Sequence, residues 1–206
     1  MYIKNFPSGP LQANSYLVWD DTKEGFMVDL GGFNEKIVTW IEREGIKLKY
    51  IILTHGHCDH IGGVNWMKSL TEAKVVTAAD ELEMLEDSRI NMSSAFGDDI
   101  TITPDVLVGE EDNLKVGKMT LEFILTPGHS KGGMCIKVGK ALFSGDTLFN
   151  SSVGRTDFYG GSMETLTKSI REKLFVLDDD VKVYLGHMGT TTIGYEKEHN
   201  PSGLIR

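Results

Sequence analysis

The chain contains 206 residues, of which 21 are Lys or Arg and 30 are Asp or Glu, so its formal net charge at pH 7 is −9. Hydrophobic residues make up 40% of the sequence and charged residues 25%, a balance that is typical of globular domains and excludes intrinsic disorder. We therefore predict a single domain over residues 1–206, with a core that needs neither disulfides nor oligomerisation.

Charge and hydropathy also exclude several kinds of partner. An acidic surface without a Lys/Arg cluster repels phosphate backbones, so we expect no nucleic-acid substrate. The longest apolar runs are about five residues, far short of the ~20 needed to cross a bilayer, so we expect no membrane segment. Two cysteines, Cys58 and Cys135, and an N-terminus unlike a secretory signal favour a cytoplasmic protein. The oligomeric state is left open.

Strand and helix patterns are mixed along the chain. Apolar or alternating segments predict strands at residues 15–19, 26–30, 50–54, 74–77, 119–125, 134–138, 141–144 and 181–185. Helical periodicity predicts helices at residues 34–44, with Asn34 as N-cap, and at residues 162–174. The stretch from Asp87 to Asp105 is compatible with a lid or with a plain helix and loop. Without a strict βαβ order, these elements predict two sheets with helices outside them.

Histidine and aspartate cluster in one segment, residues 54–63. It reads Thr-His-Gly-His-Cys-Asp-His-Ile-Gly-Gly and contains three of the six histidines. In an extended chain, side chains two residues apart project to the same side, so His55 and His57 can bind one metal ion. Asp59 and His60 have diverging side chains, which indicates a turn toward a second metal ion as the backbone enters a helix. The pattern therefore predicts two metal ions.

Further ligand types occur where predicted strands end in glycine. These are Gly128-His129, Gly145-Asp146 and Gly186-His187. Glycine permits a tight backbone at a strand end, and such ends commonly form a ligand cleft. A single His or Asp in this position is usually a cap or a buried polar group. Five His and two Asp together instead favour a metal site, because buried polar groups without partners are costly.

With these motifs, the sequence resembles the metallo-β-lactamase superfamily over nearly the whole chain. The resemblance implies an α/β fold, a four-layer αββα sandwich with the metal site at the sheet edges. Carried over residue by residue, it implies that His55, His57 and His129 bind metal 1, that Asp59, His60 and His187 bind metal 2, and that Asp146 bridges the two metals. Asp59 and Asp146 are also implied as catalytic residues. The best-known zinc β-lactamases place a cysteine among the ligands of the second metal, whereas Asp59 and an aspartate at the bridge favour ester and thioester hydrolases.

Within the superfamily, the C-terminal third resembles the glyoxalase II group, which hydrolyses S-lactoylglutathione. The resemblance rests on Gly-Arg-Thr-Asp-Phe at residues 154–158, on Thr-Thr-Ile-Gly at 191–194 and on Asn-Pro at 200–201. Two features depart from the group. Its Gly-His-Gly is Gly-His-Met at residues 186–188, and the chain stops where longer enzymes add a helical glutathione-binding domain. We therefore expect a short form, for which a requirement for glutathione is open.

Two other functions are also compatible with the sequence. The run at residues 154–158 is similar to persulfide dioxygenases, which use one iron held by the equivalents of His55, His129 and Asp146, a set that suits iron oxygenases. Residues 190–194 favour glyoxalase II instead. The other alternative is a non-catalytic metal-binding domain. Structural zinc sites are usually closed and often contain cysteine, so a cysteine-free pair of sites favours catalysis.

The expected cofactor is a pair of divalent metal ions, zinc by default, with iron or manganese suiting the same ligands. Such a pair would lower the pKa of a bridging water toward ~7 and so supply hydroxide to attack a small-molecule thioester. Asp59 is expected to hold or relay the proton of this water. Arg155 is predicted to bind a substrate carboxylate, the alternative being an ion pair with Asp157.

Three other residues carry weaker expectations. Asp29 is predicted either to orient a ligand histidine or to form a turn. Cys58 is expected to be a small buried side chain that faces away from the metal ligands. His199 is expected at the surface.

Overall fold

Two mixed six-stranded sheets form the centre of the computed structural model, which describes residues 1–201. The first sheet has the order β1-β2-β3-β4-β5-β6; its first three strands are antiparallel, and β3 to β6 are parallel. Its strands are β1 (Tyr2–Ser8), β2 (Ala13–Trp19), β3 (Glu24–Val28), β4 (Lys47–Ile52), β5 (Lys74–Ala78) and β6 (Val106–Val108).

The second sheet has the order β14-β13-β10-β9-β8-β7, in which only the β10/β13 pair is parallel. Its strands are β7 (Asn113–Val116), β8 (Met119–Leu125), β9 (Met134–Val138), β10 (Ala141–Gly145), β13 (Lys182–Leu185) and β14 (Thr190–Thr192). Two further strands, β11 (Leu148–Phe149) and β12 (Ser152–Val153), form a separate ribbon. The β7-β8 pair is a hairpin that turns at Gly117.

Helices cover the outer faces of both sheets. They are α1 (Glu35–Glu44), α2 (Cys58–Ile61), α3 (Val64–Leu70), α4 (Leu82–Glu86), α5 (Met163–Ser169) and α6 (Ile193–His199). The two predicted helices are confirmed, with side-chain caps at Asn34 and Ser162. The second helix changes after α5 into a π-helical turn, Ile170–Leu174. No helix in the described part of the chain is long and apolar enough to cross a membrane.

The inner strands of both sheets are buried on both faces, and their alternate side chains therefore enter different cores. In β4, Ile52 packs between the two sheets, whereas Ile51 packs beneath α1 and α3. In β10, Phe143 packs between the sheets and Leu142 packs against α5. Because side chains alternate with a period of two, each strand joins two apolar layers. The result is the predicted four-layer αββα sandwich, in which each fully buried Leu or Phe contributes about 1.5–3 kcal/mol.

Strand boundaries near the predicted site differ from the predicted ones. The strands β3 and β4 end at Val28 and Ile52, two residues before the predicted ends. Asp29 follows with φ 54°, a left-handed conformation that ends β3. The stretch from Asp87 to Asp105 is mostly loop, with one short 3-10 turn, Ser93–Phe96. Because β3 and β4 end two residues early, the residues that follow them leave the sheet as loops, and these loops form the site.

Candidate metal centre

Each of the seven predicted ligands lies just after a strand or in the short helix that follows one. They are His55 and His57 after β4, Asp59 and His60 in α2, His129 after β8, Asp146 after β10 and His187 after β13. The structure brings all seven together, in two groups with Asp146 in contact with both.

The first group consists of His55, His57 and His129 and is called here the histidine group. The His57 Nδ1 atom lies 2.9 Å from His129 Nε2, which in turn lies 3.3 Å from His55 Nε2. All three rings are buried. Burial lowers the pKa of His57 to about 3 and also lowers the pKa values of His55 and His129, in each case helped by neighbouring histidines. The rings are therefore neutral at pH 7, the form that binds metals.

The second group consists of Asp59, His60 and His187 and is called here the mixed group. The His187 Nε2 atom lies 3.2 Å from Asp59 Oδ2 and 3.3 Å from His60 Nε2. Burial opposes ionisation of Asp59, but the hydrogen bond from His187 and the charge on His60 outweigh it and lower the pKa of this carboxyl. The hydrogen bond to Asp59 raises the pKa of His187 despite partial burial. This group thus contains an ionised carboxylate and is more open to solvent than the histidine group.

Asp146 lies between the two groups. Its Oδ1 is 3.3 Å from His60 Nε2, and its Oδ2 is 3.7 Å from both His129 Nε2 and His187 Nε2. A Cβ at Gly186 would collide with Asp146 Oδ1, which explains why the strand before His187 ends in glycine. The Oδ1 atom is buried and makes no hydrogen bond to the described residues. A carboxylate in this position fits a cation better than it fits the surrounding side chains.

Asp29 supports the mixed group through His60. Its Oδ2 lies 2.8 Å from His60 Nδ1, and its carboxylate accepts hydrogen bonds from the backbone N–H and the hydroxyl of Thr54. The hydroxyl of Thr54 lies 3.0 Å from His55 Nδ1. The orienting contact predicted for Asp29 is therefore confirmed, and it leaves His60 Nε2 directed at Asp146. Such contacts fix ring orientation and raise ligand basicity.

Glu81 is a supporting residue that sequence reasoning missed. Its side chain is fully buried, and it accepts hydrogen bonds from Gly56 N–H (2.8 Å), Ser130 Oγ (2.9 Å) and Gly132 N–H (2.7 Å). These partners flank His57 and His129, so one carboxylate ties together both loops of the histidine group. Burial raises its pKa. No motif distinguishes Glu81 from the exposed acidic residues around it.

Arg155 lies on the histidine-group side of the centre. Its guanidinium forms two 2.7 Å hydrogen bonds with Asp157 and stacks 3.8 Å from the centre of the Phe158 ring. Phe158 in turn packs edge-on against His57. The backbone carbonyl of Arg155 accepts a 2.7 Å hydrogen bond from His129 Nδ1. The predicted alternative, pairing with Asp157, is thus present, and the guanidinium remains exposed to solvent.

The cysteines and the sixth histidine stand outside both groups. Cys58 belongs to neither group, as predicted, but it is half-buried and begins α2 instead of lying buried in a strand. Cys135 is fully buried in β9. His199 is exposed at the end of α6, which confirms the surface position predicted for it.

Fold and site together define a class of protein. The family model described as the metallo-beta-lactamase superfamily matches residues 8–187. The chain belongs to this superfamily, and it is an enzyme of the metallo-hydrolase class. Its His/Asp groups imply divalent metal ions.

Among curated relatives, the chain is 36% identical to hydroxyacylglutathione hydrolase GloC of Haemophilus influenzae, over 98% of this chain and 97% of that protein. It is also 36% identical to the probable metallo-hydrolase YqgX of Bacillus subtilis, with the same coverage. These two relatives are similar to the chain along almost their entire length.

Three solved structures are also similar. The BLEG-1 B3 metallo-beta-lactamase is 40% identical, with a TM-score of 0.91 over 97% of this chain and 98% of that one. TTHA1623 in a di-iron-bound form is 31% identical, with a TM-score of 0.86 over 96% and 98%. ETHE1 from Myxococcus xanthus is 27% identical, with a TM-score of 0.81 over 98% and 84%.

Proposed function

We propose that this protein is a binuclear metal-dependent thioesterase of the glyoxalase II type, which hydrolyses S-lactoylglutathione or a related small-molecule thioester. The observation that carries the proposal is the position of Asp146 between two groups of three ligand-type side chains. A single carboxylate in contact with both groups is the arrangement that a pair of metal ions requires. The relative named hydroxyacylglutathione hydrolase supports the thioester.

The donor set fits divalent metals. Ring nitrogens of the histidine group face one another at 2.9 and 3.3 Å while their rings are neutral, a contact that a shared cation relieves. Five imidazoles and two carboxylates, with no thiolate, suit zinc first and iron or manganese equally by ligand type. The di-iron form of a 31% identical protein is a reason to test iron beside zinc.

Bound ions would lower the pKa of a shared water and polarise a thioester carbonyl. The residues of the chain hold this chemistry in place. Asp29 directs His60, Glu81 ties the two loops of the histidine group together, and Asp146 supplies negative charge between the groups. The Asp59 carboxylate stays ionised because its pKa is lowered, so it can accept a hydrogen bond from the attacking water and hold it in place.

The next question is how the protein would bind the glutathione part of the substrate. Arg155 is the residue that we assign to a substrate carboxylate, since its exposed guanidinium lies beside the histidine group. The pairing with Asp157 competes for it. We therefore expect weak binding of S-lactoylglutathione, with a KM at or above the usual upper value of ~1 mM.

Two alternative activities have specific support. The 40% identical structure is named a B3 metallo-beta-lactamase, so β-lactam hydrolysis is the second candidate. A mononuclear-iron persulfide dioxygenase is the third, motivated by residues 154–158. That activity needs only His55, His129 and Asp146 as iron ligands, and it assigns no metal to the mixed group. A non-catalytic domain is not compatible with the metallo-hydrolase class.

The test is a metal analysis combined with three assays. Protein loaded separately with zinc, iron or manganese is assayed with S-lactoylglutathione, with a chromogenic cephalosporin, and with glutathione persulfide in an oxygen electrode. We expect two metal ions per chain and a kcat/KM for the thioester at least roughly a hundredfold above that for the β-lactam, or about 2.7 kcal/mol in transition-state stabilisation. Equal or faster β-lactam turnover would reassign the substrate. Rapid persulfide-dependent oxygen uptake with an inert thioester would establish the dioxygenase.

The cytoplasmic location stays a prediction. It rests on Cys58 and Cys135, which are both free thiols in the fold.

A further inference from the structure

A cavity of about 260 Å³ opens beside the candidate metal centre. Asp59 of the mixed group and its neighbour Cys58 line one wall. The other walls come from the turn between β1 and β2, from the residues that follow β3, and from the loop at residues 93–100. The cavity is thus next to a residue of the proposed reaction, on the side of the mixed group.

The lining is apolar and carries no positive charge. Its apolar side chains are Pro10, Leu11, Phe33, Phe96 and Ile100. Leu11, Phe33 and Phe96 are 51%, 62% and 56% exposed, so three large apolar groups face solvent around one opening. Asp59 and Asp98 are the only charged residues that line it within residues 1–201. A cluster of this kind marks a binding surface more often than an accident of packing.

The walls of the cavity are held in place by backbone contacts. Gly9 has φ +71°, and a Cβ there would collide with the carbonyl of Gly31; a Cβ at Gly31 would collide with the carbonyl of Asp59. On the opposite side, Cys58 N–H donates a 2.9 Å hydrogen bond to the carbonyl of Asn91. The Asn91 amide donates a 2.8 Å hydrogen bond to the Ile100 carbonyl. These contacts connect the walls of the cavity to the start of α2 and to the loop that ends at Ile100.

We propose that this cavity binds the uncharged apolar group of the substrate, a short alkyl or aryl group on one side of the thioester. The proposal rests on the proposed thioesterase function and names the substrate class for it. A carboxylate in the cavity would face Asp98 and would find no Lys, Arg or His among the described residues that line it, which disfavours it. An apolar group removes the exposed rings of Phe33 and Phe96 from water.

The proposal also predicts the orientation of the substrate in the site. Arg155, on the histidine-group side, is the group that meets a negatively charged part. The cavity, on the mixed-group side, takes the apolar part. A peptide with two carboxylates such as glutathione is excluded from the cavity and must lie outside it.

Two series of thioesters test this assignment. In the first, the acyl group on N-acetylcysteamine is lengthened from acetyl to butyryl, hexanoyl and phenylacetyl. In the second, acetyl is kept and the thiol is varied from short to long neutral alkyl thiols and to mercaptosuccinate. We expect kcat/KM to rise at least about tenfold along the series whose varied group enters the cavity, because each methylene in an apolar pocket is worth roughly that much or more. The other series should stay flat.

Variants of the cavity make the test specific. Phe96→Arg should abolish the gain in kcat/KM from the acetyl thioester to the longer ones. Asp98→Asn should raise kcat/KM for the carboxylate-bearing thioester. The matched control is Val176→Arg, because Val176 is 71% exposed and lies outside the cavity lining. This control should behave like the parent enzyme, and thermal melts identify any variant that fails to fold.

Binding provides a readout that does not need turnover. The thioether S-hexyl-N-acetylcysteamine, which cannot be hydrolysed, is titrated into the protein by calorimetry, and we expect saturable binding that Phe96→Arg removes. Absence of binding to the parent protein overturns the cavity assignment. Turnover of acetyl thioesters with no response to chain length or to Phe96→Arg also overturns it, and leaves the thioesterase standing. Thioether binding without hydrolysis of any thioester supports the cavity and rejects the proposed function.

Discussion

The two ligand groups of the candidate centre differ in chemistry and in surroundings. The histidine group contains only imidazoles, each 5% exposed or less, and lowered pKa values keep them neutral. The mixed group contains a carboxylate, is partly open to solvent through His187, and adjoins the apolar cavity. The histidine group is thus enclosed, whereas the mixed group is accessible from solvent and from the cavity.

The supports of the two groups differ in the same sense. Glu81 joins the two loops of the histidine group, whereas Asp29 contacts only His60 in the mixed group. His187 follows β13 and has Asp59 as its polar contact across the opening. The comparison shows how one metal site can separate two requirements. Ligands with supporting contacts can fix a metal ion in one half, while substrate reaches the other half.

Asp146 is the residue on which both halves depend, so its loss should have the largest effect. We expect Asp146→Ala to remove both metal ions and to lower kcat/KM by about a thousandfold, since metal assistance supplies several kcal/mol of transition-state stabilisation. Metal content by elemental analysis and turnover of the thioester are the measurements. Two tightly bound ions with parent turnover would show that Asp146 does not bridge.

Titration of the metal-free protein should separate the two groups by proton affinity. Burial holds the pKa of His57 at about 3, so its stabilising contribution is present above the unfolded value of 6.5 and is lost as the pH falls toward 3. The raised pKa of His187 has the opposite sign, and its contribution is present below 6.5 and is lost as the pH rises through the folded value. Histidine ring NMR in the presence of a chelator measures both. Two rings that titrate together near 6.5 would remove the distinction.

Substitution of Glu81 should weaken metal binding at the histidine group and leave the mixed group unchanged. In Glu81→Gln an amide NH2 group must face N–H donors at Gly56 or Gly132, so one loop of the histidine group loses its anchor. We expect a 10- to 100-fold loss of affinity for one of two metal ions. The cobalt(II) spectrum and metal titrations report it without turnover. Glu83→Gln is the control, because Glu83 is exposed and its polar partners within residues 1–201 are Tyr159 and Lys131. Equal weakening of both metal ions would refute a role confined to the histidine group.

The sequence predicts which ligand-type residues come together, because they lie close in the chain or follow a repeated local pattern. His55, His57, Asp59 and His60 occur within six residues, and the glycine before His187 is dictated by the approach of Asp146. The strand and helix patterns predict two sheets with helices outside them, and such patterns are local, which is what a single sequence records. The four-layer αββα sandwich is what the resemblance to the superfamily implies.

The missed features depend on contacts between distant parts of the chain. Glu81 contacts Gly132, 51 residues away, and nothing near it in sequence indicates this. The cavity is lined by Leu11, Phe33 and Phe96, which are far apart in the sequence, so no local pattern predicts that they lie together. The short strands β6 and β14 have three residues each, too few for a periodic signal.

Arg155 should affect substrate binding without affecting the metals. We expect Arg155→Ala to raise the KM for S-lactoylglutathione by about three- to fivefold, because an exposed charge contact is worth about 1 kcal/mol or less. Metal content should be unchanged. Arg89→Ala is the matched control, since Arg89 is also exposed and paired with an aspartate two residues away, Asp87. Equal effects of both substitutions would assign the change to net charge, and a lost metal ion would assign Arg155 to the centre.

Cys58 should have the smallest effect on the metals, although it precedes Asp59 directly. Burial and the nearby Asp59 carboxylate raise the pKa of its thiol, so it remains protonated at neutral pH, whereas a cysteine ligand is a thiolate. It belongs to neither ligand group. We therefore expect Cys58→Ala to retain both metal equivalents in elemental analysis, while His60→Ala, two residues further along α2, loses one. Loss of a full equivalent from Cys58→Ala would make the thiol a ligand and would end the description of the mixed group as a site of nitrogen and oxygen donors.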